Sequence, residues 1–131
     1  MKKIKIKTKR SCKESVGEAD LENRIVFVCN AKPSEKKHII AHEKAHIRFN
    51  DILQSKPNKI KKYSEVVLDS PVLSDQLEIQ QRKLKTPSSR GNFVDEYHAQ
   101  TKEIQSRIKT GNKQLDSKQF KIAKKNLRLL Q

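Results

Sequence analysis

Residues 34–53 read as one helix whose two faces ask for different surroundings. Asn30-Ala-Lys-Pro33 turns the chain, and Ser34 caps the helix that follows, to about Leu53. Lys37, Lys44 and Arg48 share one narrow stripe that suits water. Ile40 and Ile47 flank that stripe on one side; Ala41, Ala45, Phe49 and Ile52 flank it on the other. His42, Glu43 and His46 lie opposite the cations and therefore face the protein. Unpaired polar groups are costly inside a protein, so this face demands a partner there. Two imidazoles at i and i+4 stand about 40° apart around the axis and can meet one divalent ion. Glu43 stands beside them, placed to take a proton from water. A chain with this content of His and Glu would show the pattern by chance in about one random order in a hundred.

The flanking sequence supplies the rest of an α+β domain. Lys3, Lys5 and Lys7 alternate with Ile4 and Ile6, the period of a half-buried strand, and the lysines suit a sheet edge. Residues 10–23 are polar, contain Gly17, and predict a loop. Arg24–Cys29 is a β-branched, mostly apolar run that predicts a buried strand. Lys59–Leu68 fits a short strand or a helix equally. Ser70-Pro71 predicts a helix start, with Leu73, Leu77 and Leu84 on one side, and residues 86–91 a loop. Asn92 is placed to cap a helix through about Lys109, with the stripe Phe93, Tyr97, Ile104 and Ile108. A last helix spans about Asp116–Leu130. The expected fold is a single domain over 1–131: a short, mostly antiparallel N-terminal sheet packed on the helix of residues 34–53, then further helices.

Composition narrows the classes. Leu, Ile, Val and Phe suffice for one modest core, so wholesale disorder is not expected. The longest apolar run is Ile25–Cys29, far short of the roughly 20 residues of a membrane span. MKKIKIKTKR has no apolar stretch behind it, so no secretory signal is expected. Two cysteines, Cys12 and Cys29, without a CxxC, fit free thiols and a cytoplasmic, reducing compartment. The net charge of +15 is carried by the ends: residues 1–13 and 101–131 each bear +7, and the stretch between them only +1. The first 13 residues thus read as a basic strand or arm and 113–131 as a basic helix, each able to follow phosphate. With four Phe, two Tyr and no Trp, broad stacking on bases is not expected.

A strand, a turn and a helix carrying His42-Glu43-Lys-Ala-His46 resemble the zincin metallopeptidases. Asp95-Glu96-Tyr97-His98-Ala99-Gln100 resembles the third-ligand helix of the gluzincins among them. The pattern is most similar to minigluzincins and to the HtpX and CAAX prenyl protease types; IrrE-type peptidases carry a related element. The resemblance covers about residues 24–104. It implies Zn²⁺ held by His42, His46 and Glu96, with Glu43 as general base and a protein or peptide as substrate. The family's supporting Asp is Gln100 here, so Gln100 is the candidate to hold a histidine ligand.

Within 95–98, Glu96 borders the apolar stripe, whereas His98 lies about 200° from it, on the side expected to face solvent. His98, as in SprT-like zincins, and Asp95 stay open as third ligands. His38, Tyr97 and Tyr63 are further candidates for oxyanion or substrate contacts. Packing is the competing role for Tyr97. The expected function is zinc-dependent peptide hydrolysis. The alternative is a basic, nucleic-acid-associated protein whose zincin-like body acts on DNA-bound proteins or is inactive.

Overall fold

The computed structural model describes residues 3–10, 12 and 16–131. Three strands, β1 (Lys5–Lys9), β2 (Gly17–Asp20) and β3 (Ile25–Cys29), precede five α-helices. The helices are α1 (Pro33–Ser55), α2 (Pro57–Val67), α3 (Asp75–Arg82), α4 (Pro87–Lys109) and α5 (Lys118–Asn126). The α+β expectation holds. Parts of the predicted basic arm and of the predicted loop, residues 1, 2, 11 and 13–15, lie outside the described residues.

The sheet has the order β1-β3-β2 and is mixed rather than mostly antiparallel: β1 runs parallel to β3, and β2 antiparallel. β2 was hidden in the polar stretch because it is short and has no apolar alternation. A turn at residues 21–24 joins it to β3. The Asp20 carboxylate accepts from the Asn23 backbone N–H at 3.0 Å, and Arg24 takes the left-handed conformation at φ 56°. β1 is exposed on both faces, not half-buried as its alternation suggested; Ile6 is 48% exposed. On the outer face of the sheet Lys9 lies over the Phe27 ring and pairs with Glu18 at 3.3 Å.

Val26 and Val28 of β3 point inward onto Ile39 and Ile47 of α1, forming a small sheet-side core. A larger helical core joins Phe49, Ile60, Tyr63, Val67, Leu77, Phe93, Val94 and Tyr97. Among the described residues, α1 is the one element that contributes to both. Residues 59–67 fall into the helix α2, with Leu68 as its C-cap, and the helix buries Ile60, Tyr63 and Val67 at helical spacing.

Three helix starts differ from expectation. α1 begins at Pro33 after Lys32 with no side-chain cap, so Ser34 lies inside its first turn instead of capping it. In the other two, side chains cap elsewhere. α3 begins after Ser74, whose hydroxyl accepts from the Leu77 N–H, and not at Ser70-Pro71. α4 begins five residues before Asn92. Thr86 and Ser89 form a reciprocal capping box, and Pro87 sits at the first turn, where its missing N–H costs nothing. The C-terminal basic segment is a helix over Lys118–Asn126 flanked by 3-10 turns at Lys113–Leu115 and Leu127–Leu130.

Cys12 and Cys29 are paired as a disulfide, with Cα atoms 5.6 Å apart, instead of standing as free thiols. Their closeness follows from β1 lying parallel beside β3, which sets Lys9 opposite Cys29 and Cys12 just beyond.

Candidate metal centre

α1 crosses α4, and small side chains allow the approach: Ala45 and Ala99 are both buried there. On α1, His42 and His46 occupy the seam between the two cores. Ile39 and Ile47 turn to the sheet on one side of them; Ala45 and Phe49 turn to the helices on the other. Glu96 of α4 enters this seam. Its Oε1 is 3.1 Å from His42 Nε2 and its Oε2 is 3.5 Å from His46 Nε2. Among the described residues, His42, His46 and Glu96 form the one group able to hold a metal ion, with ligand atoms within 4.8 Å of one another.

The second nitrogen of each imidazole also meets a carboxylate. His46 Nδ1 is 2.9 Å from Asp95 Oδ1 in a good hydrogen bond. His42 Nδ1 is 2.9 Å from Glu103 Oε1, an ion-pair distance, though the contact lies off the line of a straight N–H bond. Arg107 continues the chain of contacts, pairing with Glu103 at 3.1 Å and with Glu35 at 2.8 Å. Both rings are thus oriented from Nδ1, which leaves both Nε2 atoms aimed at Glu96. Ligating histidines are held in this manner, through the nitrogen that does not bind the ion.

The donors fit a metal. Two imidazole nitrogens and one carboxylate are a usual catalytic set, and donors about 2 Å from a shared ion stand roughly 3.3 Å apart. Without an ion the same groups neutralise one another as ion pairs. Burial depresses the His42 pKa, but Glu103 and Glu96 outweigh it and raise the value to about 9. Burial likewise opposes Asp95 and Glu96 at His46, where the carboxylates prevail and the value rises to about 10. Glu96 is held well below the usual carboxylate range: burial pushes it up, and the two histidines pull it down further.

Glu43 stands one residue from His42 and is not among the ligand group. Burial pushes its pKa up, and the neighbouring Glu96 and Glu103 add to this, against the pull of His42 and His46. β2 passes directly over it. A methyl group at Gly17 would lie 2.5 Å from Ile39 Cγ2 and 3.1 Å from Glu43 Cγ, so this approach requires glycine.

Several predicted site residues lie elsewhere. Gln100 does not support a histidine; its amide contacts Gln76 at 3.5 Å. Asp95 and Glu103 take the supporting role. Both were within reach of sequence reasoning, because His–carboxylate support is a general need of metal sites, but neither falls where the family pattern puts it. His38 is buried and bonded to Ser106 Oγ at 2.9 Å, a packing role. Tyr97 and Tyr63 are fully buried in the helical core, with ring centroids 6.4 Å apart, and offer nothing to a substrate carbonyl at the metal group.

His98 is buried at 3% exposure, not solvent-facing. α4 is covered on two sides, by α1 at Ala99 and by α2, α3 and α5 at Phe93 and Tyr97, and the apolar stripe revealed only the second. His98 packs between Phe49 and Tyr63, and burial, with the charges of Lys102 and His46, lowers its pKa to about 3. It is a neutral core histidine outside the ligand group. No family model matches this chain, and neither a curated protein nor a solved structure matches it.

Proposed function

We propose that this chain is a zinc-dependent peptidase of the gluzincin kind. The observation that carries the reading is the double orientation of His42 and His46: Nε2 of each toward Glu96, and Nδ1 of each against its own carboxylate. His42, His46 and Glu96 would hold the ion. When bound, zinc polarises water and the scissile carbonyl. Glu43 does the proton work. Its half-buried carboxylate, with a pKa raised by burial, accepts a proton from the attacking water and delivers it to the leaving amine. The edge of β2, running over Glu43 at Gly17, offers backbone groups to an extended peptide lying antiparallel to it. The resemblance of residues 24–104 to the gluzincins agrees with the ligand roles of His42, His46 and Glu96 and with Glu43 as general base.

Among the described residues no helix is long and apolar enough to cross a membrane. A cytoplasmic location belongs to the same reading on the sequence argument. The Cys12–Cys29 pair weighs against it, since disulfides persist where thiols are oxidised.

The test is Glu43→Gln. The variant is expected to keep zinc at one equivalent and the wild-type melting temperature. On any peptide the native protein cuts, it should lose about 10²–10⁴-fold in rate. Wild-type turnover in this variant would sink the mechanism. Absence of zinc from both proteins after metal loading would sink the reading as a whole.

A further inference from the structure

On the side of α1 opposite the metal group, a groove of about 960 Å³ runs between α1, α4 and the C-terminal turns. Three elements line its rim with cations. α1 supplies Lys37, Lys44 and Arg48, the stripe expected to face open water. α4 supplies Lys102 and Lys109. The C-terminal segment adds Lys121, Lys124, Lys125 and Arg128, so the basic end of the sequence is folded into this wall. Among the described residues no Asp or Glu side chain lines the groove. Nine like charges around one concavity repel one another, and a cleft lined by one sign of charge focuses the field and draws in an anionic partner. Lys102 reports the strain: burial, then Arg48 and Lys109, hold its pKa below the usual lysine value.

The floor is different in kind. Ala41 and Ala45, about one turn apart on α1, give the groove its depth, and Ile40, Ile52, Leu127 and Leu130 surround them. The floor is aliphatic. Among the described residues no Phe, Tyr or Trp lines it, and its one ring, His98, is 3% exposed and offers no free face on which a single-stranded base could stack. A duplex presents phosphate to a surface but has no use for a recessed aliphatic floor. A flat lipid surface cannot enter a groove between helices.

We propose that this groove docks an acidic amphipathic helix of a protein partner, its apolar side on the alanine and leucine floor and its carboxylates against the lysine rim. The assignment rests on charge complementarity and on the aliphatic floor, and is independent of the metal centre.

The probe is a fluorescein-labelled synthetic helix of about 18 residues with Leu on one face and Glu on the other. Controls are a scrambled peptide of the same composition and single-stranded and duplex DNA of about 20 nucleotides. At about 150 mM salt, fluorescence anisotropy should give binding near 10 µM, about tenfold tighter than the scrambled peptide. The triple variant Lys121→Glu, Lys125→Glu, Arg128→Glu changes exposed side chains and should weaken binding by more than about tenfold. Ala41→Gln, with the rim intact, fills the floor and should weaken the helix but leave DNA association unchanged. The proposal is overturned if the amphipathic and scrambled peptides bind alike, if the triple variant binds as wild type, or if either DNA binds more tightly than the helix. Circular dichroism of each variant confirms that the fold is intact.

Discussion

α1 separates two regions of opposite chemistry. On one side, Glu43, Asp95, Glu96 and Glu103 crowd around two histidines, and each of the four imidazole nitrogens lies within ion-pair distance of a carboxylate. On the other, cations from three elements crowd a groove with no carboxylate side chain among the described residues. The first region is satisfied within the molecule and can exchange its internal ion pairs for a metal. The second can be satisfied only from outside. The difference teaches that the net charge of +15 is a poor guide to where a partner would bind. The carboxylates that matter are gathered on one face of the α1–α4 pair, and the lysines that matter on the other.

The sharpest way to break this comparison is to remove the one carboxylate that faces both Nε2 atoms. Glu96→Ala should weaken zinc binding by at least about a hundredfold in competition with a chromophoric chelator. His98→Ala should leave zinc affinity unchanged and lower stability by about 1–3 kcal/mol, because a buried ring between Phe49 and Tyr63 is lost. Loss of zinc in His98→Ala with no loss in Glu96→Ala would reverse the ligand assignment.

Next come the residues behind the ligands. Asp95→Asn and Glu103→Gln should each reduce zinc affinity by about 10–100-fold, with the larger loss at Asp95, whose hydrogen bond to His46 is the straighter. Calorimetric titration decides the order.

Acidity separates the metal-free from the metal-loaded centre. His42 and His46 have folded pKa values raised above 6.5 to about 9 and about 10. Their stabilisation of the metal-free fold is therefore complete below about pH 6.5 and is lost as pH rises through 9 and 10. Glu96 and Glu103 are held below the ordinary 4.5, so theirs is present above that value and lost as pH falls. The metal-free melting temperature should decline between pH 7 and pH 10. The zinc-loaded one should stay level over that interval, because ligating imidazoles are neutral. A metal-free melting temperature that rose over the same interval would contradict the ion-pair picture.

The smallest effect is a null that sharpens the division. Lys121→Glu, Lys125→Glu and Arg128→Glu together should change zinc affinity by less than about twofold, since α1 stands between the groove and the centre and exposed charges are screened. A tenfold change would show that the two faces communicate.

Much of this was legible in the chain. The α1 helix, its inward His42-Glu43-His46 face and the central strand β3 follow from periodicity alone, because burial on one side imposes it. Glu96 as the acidic residue closest to that face also emerged. What stayed hidden depends on contacts between elements. The parallel pairing of β1 has no local signature, and β2 is a four-residue edge strand in a polar stretch. His98 was misplaced because α4 is covered from two directions, and a single apolar stripe shows only one. Asp95 and Glu103 reach the histidines across a helix crossing, and spacing along one chain segment cannot show that. The groove required α5 to pack back on α2 and α4, bringing charges more than seventy positions apart onto one rim.

Because the two apolar clusters share only α1 among the described residues, the molecule has a built-in line of partial opening. Hydrogen exchange along such a line need not be uniform. The sheet end, with its thin cluster and exposed β1, can detach while the helical cluster persists, so its amides should exchange through a lower-energy opening than those of α2 and α4. His42 and His46 sit on the shared helix and Glu96 on its helical neighbour, so an ion bound there rivets α1 to α4 and leaves the sheet end untied. Loading the ion should therefore slow exchange of the α1 and α4 amides and leave that of β3 unchanged, widening the gap between the two openings.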